Sequence, residues 1–533
     1  MSPSALNKDV GAYLDDPKNI ERFINRLRDA VKIDSISGEP ARRQRVIDMG
    51  EWLNQRLTDL GVTTELRDLG YEAGVFVDNV PVKLPPVILG RIGDDKNKKT
   101  VLIYGHYDVQ PAAKEDGWIT EPFELDVKAD HKPGEKYDAE KRYGQMIGRG
   151  SSDDKGPILG WLNVLEAHNP TPQKPDEAKP KADPEWPTIP LPVNLRFCFE
   201  GMEESGSEGL DALIQKEANQ EVGWFKGVDC VCISDNYWLG TTTPALTYGL
   251  RGLAYFKITV SGPARDLHSG VFGRAVHEPM TDLISLMSRL VDPAGNILVP
   301  GVDNVGPAST DELDIYEKLD YGLEDIKAAV GANIALSADR VQVMMGRMRM
   351  PSLSLHGIEG AFSGPGAKTV IPASVSGKFS IRLVPEQIKK QTPEEIAAKK
   401  PAEKLVDTVT ALVTAYLESE FAKLGSKNRL TIEMLHGGEP WLEDPKHWSY
   451  AAAKKATEDE YGRPPDLTRE GGSIPVTLTF AQSLEKNVLL LPMGRGDDGA
   501  HSTNEKLDKT NFVKGTKLFA RYLYEIAEPN VGN

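Results

Sequence analysis

The sequence predicts an α/β fold in which a mixed, largely parallel sheet is flanked by helices and interrupted by a smaller α+β domain. Three observations carry this. Short apolar runs alternate with helical stretches near both ends of the chain, the order expected of parallel strands joined by crossover helices. The middle of the chain instead alternates apolar and polar residues, as a half-exposed sheet does. The residues with chemistry to offer fall mostly on either side of that middle, which marks it as an insertion. The expected boundaries are 1–245 and 436–533 for the main domain and 246–435 for the inserted one.

Residues 17–62 read as helices, because Ile20, Phe23, Ile24, Leu27 and Val31, then Val46, Met49, Leu53 and Leu57, recur at helical spacing. VLIY at 101–104 is a buried-strand run that stops at Gly105. VNLRFCF at 193–199, VDCVCI at 228–233 and NVLLLP at 487–492 are three more. Helical stretches at 156–168 and 207–218 lie between them. TYGLRGLAYFKITVSG at 247–262 and VSGKFSIRLVP at 375–385 alternate and read as strands with one wet face, and 278–291 and 393–424 read as helices. Two polar, turn-rich stretches, 128–142 and the proline-rich 169–192, read as solvated surface insertions.

Composition narrows the function classes. Of 533 residues 40% are hydrophobic, enough for a sizeable core. The net charge of −16, from 63 basic and 79 acidic side chains, opposes nucleic acid and anionic membranes as partners. No run approaches the roughly 20 apolar residues of a membrane span. The first residues show no apolar core of a signal peptide, so a cytoplasmic protein is expected. Cys198, Cys230 and Cys232 lie in apolar runs and read as buried free thiols, not a disulfide framework.

A hydrolytic site built on two cations needs borderline or hard ligands, a carboxylate to bridge them and a general base, all held by rigid backbone. In open α/β sheets such groups gather where strands end. GHYDVQ gives His106 directly after a buried strand, with Asp108 placed to accept the other imidazole N–H; a purely structural histidine is the alternative. GRGSSDDKG at 148–156 brings Asp153 and Asp154 to a turn before a helix, with Asp153 the choice for the bridge and helix capping the competing role, above all for Asp154. FEGMEESGSEG gives the adjacent Glu203 and Glu204, whose side chains point apart, so that one can hold metal while the other faces substrate as a base. CISDNYW gives Asp235 and DDGAHSTNE gives His501. Each motif alone is weak, and solvated acids or caps explain any one of them. As a set at strand ends they do not arise readily by chance. Oxygen and imidazole donors suit zinc, manganese or cobalt.

GHYDVQPA, GRGSSDDKGP, EGMEESGSEG, ISDNYWLG, DLHSG, REGGSIPVT and GAHSTNEK, in this order, resemble the carnosinase-type family of co-catalytic metallopeptidases. The nearest branch is that of cytosolic nonspecific dipeptidases and Cys-Gly metallodipeptidases. The likeness runs from about residue 17 to 525. It implies a two-domain metallopeptidase whose inserted domain serves as lid and dimerisation surface. It implies two divalent metal ions per subunit, zinc or manganese: one on His106 and Asp235, the other on Glu204 and His501, with Asp153 bridging. Asp108 would orient His106, and Glu203 would be the general base. His268 in DLHSG would reach across a homodimer to steady the oxyanion, where a turn histidine is the plain alternative. Arg382 would clamp a substrate carboxylate unless it is a cross-strand ion-pair partner. Thr369, His436 and the turn of Glu470, Gly472 and Ser473 match the substrate-binding pattern, although its glycines also suit a simple turn. His131, His168, His277, His356 and His447 match no metal motif.

The implied activity is hydrolysis of the peptide bond of a small peptide-like substrate, Cys-Gly or other dipeptides. An N-acyl-amino-acid hydrolase, a carboxypeptidase or an amidase uses the same scaffold chemistry. A non-catalytic binding protein would have been signalled by loss of Glu203 or of a ligand, and all are present.

Overall fold

The computed structural model describes residues 6–132, 138–170, 186–387, 404–472 and 474–528. The chain forms two compact units: Met1–Tyr248 with Glu443–Thr468 and Thr479–Asn533, and Gly249–Leu442 with Arg469–Leu478.

The first unit is built on a mixed sheet. Its four central strands run parallel in the order Asn194–Glu200, Thr100–His106, Cys230–Ile233 and Val488–Leu490. Thr100–His106, Asn194–Glu200 and Cys230–Ile233 are buried along their whole length. This is why they read as continuous apolar runs without alternation. Antiparallel strands flank them: Val87–Ile92 and then Thr63–Arg67 on one side, and residues 245–248 of the strand Ala245–Leu250 on the other. Helices expected at 17–62, 156–168 and 207–218 form as Pro17–Val31, Arg43–Asp59, Lys155–His168 and Leu210–Asn219. Helix Lys155–His168 is buried on all sides. It stacks Trp161 on Phe519 of the C-terminal helix Lys509–Ile526 with ring centroids 4.3 Å apart. A hairpin, Tyr71–Val77 and Val80–Lys83, escaped the sequence reading because its polar and apolar residues follow no period.

In the second unit four antiparallel strands lie in the order Ser352–Glu359, Ser374–Leu383, Gly252–Ser261, Arg429–Gly438. Helices Pro279–Met287 and Leu405–Leu424 bury one face of this sheet against Ala254, Phe256, Ile258 and Val260. The opposite face carries the intervening residues of the same strand and stays partly open, with burial alternating residue by residue. The alternating stretch 247–262 is therefore not one strand. The chain turns at Arg251, and the wholly buried residues of Ala245–Leu250 precede the alternating ones. The long helix expected at 393–424 is described only from Leu405, since residues 388–403 lie outside the described residues. So do 133–137 and 171–185 of the two polar stretches. All three cysteines are buried and free. Among the described residues no helix is long and apolar enough to cross a membrane.

Candidate metal centre

The parallel strands deliver their last residues to one place. His106 ends the strand Thr100–His106, Glu203 and Glu204 follow Asn194–Glu200 in a short 3-10 turn, and Asp235 follows Cys230–Ile233. Asp153 comes from the turn before helix Lys155–His168, and His501 from the loop after Val488–Leu490.

Asp153 stands at the middle. Its Oδ1 lies 3.1 Å from His106 Nε2 and its Oδ2 lies 3.2 Å from His501 Nε2, so each carboxylate oxygen faces a different imidazole. Asp235 Oδ1 adds itself to the His106 side at 3.6 Å, and Glu204 Oε2 to the His501 side at 3.0 Å. Single donor atoms of His106, Asp153 and Glu204, and likewise of His106, Glu203 and Asp235, fall within 4.8 Å of one another. His106 and Asp108 are fully buried, while the His501 side chain is 58% exposed. His501 also holds a left-handed backbone (φ 59°), a conformation that costs a non-glycine residue energy and that the surrounding loop must enforce.

Asp108 connects the parts. Its Oδ1 is 3.3 Å from His106 Nδ1 and accepts the Glu203 backbone N–H at 3.2 Å, and its Oδ2 accepts the Glu204 N–H at 3.1 Å. One carboxylate thus orients an imidazole and fixes the turn that presents both glutamates. Gln110 Nε2 donates to Glu204 Oε2 at 2.7 Å. Gly105 is needed just before His106, because a Cβ there would lie 2.6 Å from Asp154 Oδ2. Asp154 does not cap the helix with its side chain, as the sequence allowed. It is fully buried and its Oδ2 accepts the His106 backbone N–H at 3.2 Å.

Sequence reasoning passed over Glu505, four residues beyond His501. Its buried carboxylate accepts the N–H groups of Ser152 (2.9 Å) and Asp153 (3.1 Å) and the Ser152 hydroxyl (3.2 Å) on one oxygen. The other oxygen takes the Gly150 N–H (3.0 Å) and Arg149 Nη1 (2.8 Å). The only available signal was the acid's position in the His501 loop.

The donors fit a pair of cations. Asp108, Asp153, Asp154, Glu203, Glu204 and Asp235 crowd around two imidazoles, and buried charge of one sign is costly without a counter-charge. Burial, with the charges of Asp235 and Glu204 added, pushes Glu203 well above the usual carboxylate range. Burial likewise pushes Asp235 up to about 6. Burial works the same way on Asp153, but the hydrogen bonds of His106 and His501 outweigh it and bring its pKa down. His501 is raised to about 10 by its bonds to Asp153 and then Glu204. Burial would lower His106, yet the charge of Asp235 and the bonds to Asp108 and Asp153 hold it well above its usual value. No thiolate belongs to the set, and nitrogen and oxygen donors of this kind take borderline or hard divalent ions.

The second unit gathers the remaining candidates. Arg382 is paired with Leu253 and His436 with Tyr255, and these partners lie two apart on one strand. Arg382 and His436 therefore share the open face of the sheet. No ion-pair partner for Arg382 occurs among the described residues. His268 pairs with Val370 in a two-stranded ladder, beside Thr369, whose carbonyl accepts the Ser269 N–H at 3.1 Å. Both side chains are exposed. The Glu470 carbonyl accepts the Arg251 N–H at 2.9 Å, which anchors the turn to Gly472. Ser473 lies outside the described residues.

Known proteins share this organisation. Cys-Gly metallodipeptidase dug1 of Schizosaccharomyces pombe is 52% identical over 511 residues, 96% of each chain. Beta-Ala-His dipeptidase of Homo sapiens is 38% identical over 529 residues, 99% of this chain and 94% of that one. The solved structure of the di-peptidase Dug1p from Saccharomyces cerevisiae superposes with a TM-score of 0.79 at 46% identity, covering 99% of this chain and 100% of the other. The model of peptidase family M20/M25/M40 matches residues 102–179 and 185–525, a span that holds every donor named above. With that span, those identities and a shared fold, the chain belongs to peptidase family M20/M25/M40.

Proposed function

We propose that this protein is a metal-dependent dipeptidase that hydrolyses the peptide bond of free dipeptides, Cys-Gly among them. The observation that carries the reading is the two-sided Asp153 carboxylate, with a His–carboxylate pair on each side and Glu203 close to His106 and Asp235. The relatives named as dipeptidases support the substrate class.

His106 and Asp235 would hold one divalent cation and Glu204 and His501 the other, with Asp153 shared; zinc and manganese suit the donors. When bound, the ions supply Lewis-acid polarisation of the scissile carbonyl and lower the pKa of water. Glu203 takes the proton of the attacking water and returns it to the leaving amine. Burial raises the pKa of Glu203 above the usual carboxylate range, the direction that strengthens a carboxylate as a base. Asp108 holds His106 by Nδ1 and keeps the Glu203 backbone in place. Arg382 clamps the substrate's carboxylate, His436, Thr369 and the Glu470–Ser473 turn contribute to substrate binding, and His268 serves the oxyanion from the partner subunit of a homodimer. The second unit would be the lid and dimerisation domain. Three buried free thiols favour a reducing, cytoplasmic location.

The test is a metal-supplemented comparison of free dipeptides with their N-acylated forms and with N-acyl amino acids, with bound metal measured alongside. Hydrolysis of the free dipeptides and loss of it on blocking the amine is the expected result. A preference for acylated substrates would overturn the reading in favour of an acyl-amino-acid hydrolase.

A further inference from the structure

Arg251 occupies an unusual position in the second unit. It lies in the break between the strands Ala245–Leu250 and Gly252–Ser261, two residues before Leu253, the cross-strand partner of Arg382. Ser352 is the other cross-strand partner of Arg382, and Arg251 Nη1 donates to Ser352 Oγ at 3.2 Å. Arg251 thus contacts the serine that lies opposite Arg382 in the sheet, and the positive charge of Arg382 acts on Arg251. The remaining contact of Nη1 is the Met350 carbonyl at 3.3 Å, and the buried Nε has no partner. Among the described residues neither arginine has a carboxylate partner. Burial first, then the positive charges of Arg382 and Arg347, lower Arg251 to about 10. Among the described residues no acid offsets them. The turn that follows Glu470 packs close to Arg251: a Cβ on Gly471 would come within 2.7 Å of Nη2.

Partly buried arginines are normally paired, because an uncompensated charge away from water is costly. Two of them side by side, with neutral partners only, form a site prepared for an anion. A planar carboxylate matches the guanidinium fork.

We propose that Arg251 is a second carboxylate-binding residue beside Arg382, so that the C-terminal carboxylate of the substrate is held between two guanidiniums. The proposal rests on the dipeptidase reading. It makes a free C-terminal carboxylate the favoured substrate end and places part of the binding strength on a residue that no motif singled out.

The experiment uses the full metal-loaded chain with Ala-Gly and its C-terminal amide as substrates, comparing wild type, Arg251→Gln, Arg251→Lys and Arg382→Gln. Arg251→Gln raises KM for Ala-Gly about 10- to 100-fold, the effect of losing one charge-assisted hydrogen bond. It leaves kcat within about threefold, because the contact is uniform between ground and transition states. Arg251→Lys, which keeps the charge and the fold, recovers part of the loss, and KM for the amide does not respond to either substitution. An unchanged KM for Ala-Gly in folded Arg251→Gln overturns the proposal, as does an equal rise for the amide. If Arg251→Gln does not fold, Arg251→Lys alone decides by the same ratio of acid to amide. A wild-type chain that hydrolyses neither substrate removes the dipeptidase reading itself. Wild-type hydrolysis of Ala-Gly matched by folded Arg251→Gln removes only the role of Arg251.

Discussion

Glu505 accepts the backbone N–H of Asp153 at 3.1 Å, and through it the loop that carries His501 grips the turn that presents the central carboxylate. The same side chain takes the N–H groups of Gly150 and Ser152, so three amides of this turn depend on one buried acid. Gly150 adopts φ +81°, which suits glycine and lets these amides converge. Replacing Glu505 by Gln sets an NH2 group against donors. Metal affinity falls about 10- to 100-fold, the usual effect of losing a supporting contact behind the ligands. Competition with a chromophoric chelator measures it, and unchanged affinity in the folded variant would refute the positioning role.

Glu203→Gln keeps the shape of the side chain and removes the base. Bound metal stays at the wild-type level while kcat falls by about 10²- to 10⁴-fold. Metal analysis and steady-state kinetics on the same preparation check both halves. Near-full turnover would exclude Glu203 as the base.

Metal uptake releases protons. His501 titrates at about 10 in the metal-free chain because Asp153 and Glu204 stabilise its charged form. A cation needs the neutral ring, so affinity weakens as pH falls below that value. Calorimetry in two buffers of different ionisation enthalpy reads the protons directly. Equal heats in both buffers would be incompatible with this account.

Far from the centre, Glu166 is buried on helix Lys155–His168 and binds Arg26, Arg22 Nε at 2.7 Å and the Tyr13 hydroxyl at 2.8 Å. Glu166→Gln leaves Arg26 buried without its counter-charge and costs about 3–5 kcal/mol. Burial raises the Glu166 pKa, but the charges of Arg26 and Arg22 outweigh it and the net shift is downward. Its native value lies below the unfolded one of about 4.3. The stabilisation is thus full above about pH 4.3 and is lost as pH falls toward the native value. Urea unfolding of wild type and variant from pH 7 down to pH 3 shows the gap between them closing. A constant gap would disprove the linkage.

The shared-site proposal has a complementation test. His268→Ala and Glu203→Gln subunits, each inactive alone, regain activity when mixed and allowed to exchange. No recovery despite exchange shown by mass spectrometry would rule out a contribution of His268 from the partner.

The parallel strands were legible because burial on both faces leaves only apolar residues between polar ends, and the chemistry follows at once, as in His106 and Asp235. The open sheet was legible from its alternation at residues 252–261. The break at Arg251 was not, since nothing in TYGLRGLA marks where one strand stops and the next begins. Asp154, Glu505 and Arg251 were not legible in their roles either. Each acts on backbone or side chains far away in sequence, so the partner exists only once the fold has formed.

The second unit divides the first in sequence, and His501 follows it while His106, Asp153, Glu204 and Asp235 all precede it. On the ribosome, four of the five donors emerge long before the fifth. Closing that gap requires contacts of great sequence separation, which form late. On the proposed ligand set, the growing chain would offer a partial, weaker grip on metal until His501 joins the other four. On that set, loading with cations would be a step of maturation, and products truncated before His501 would bind metal poorly.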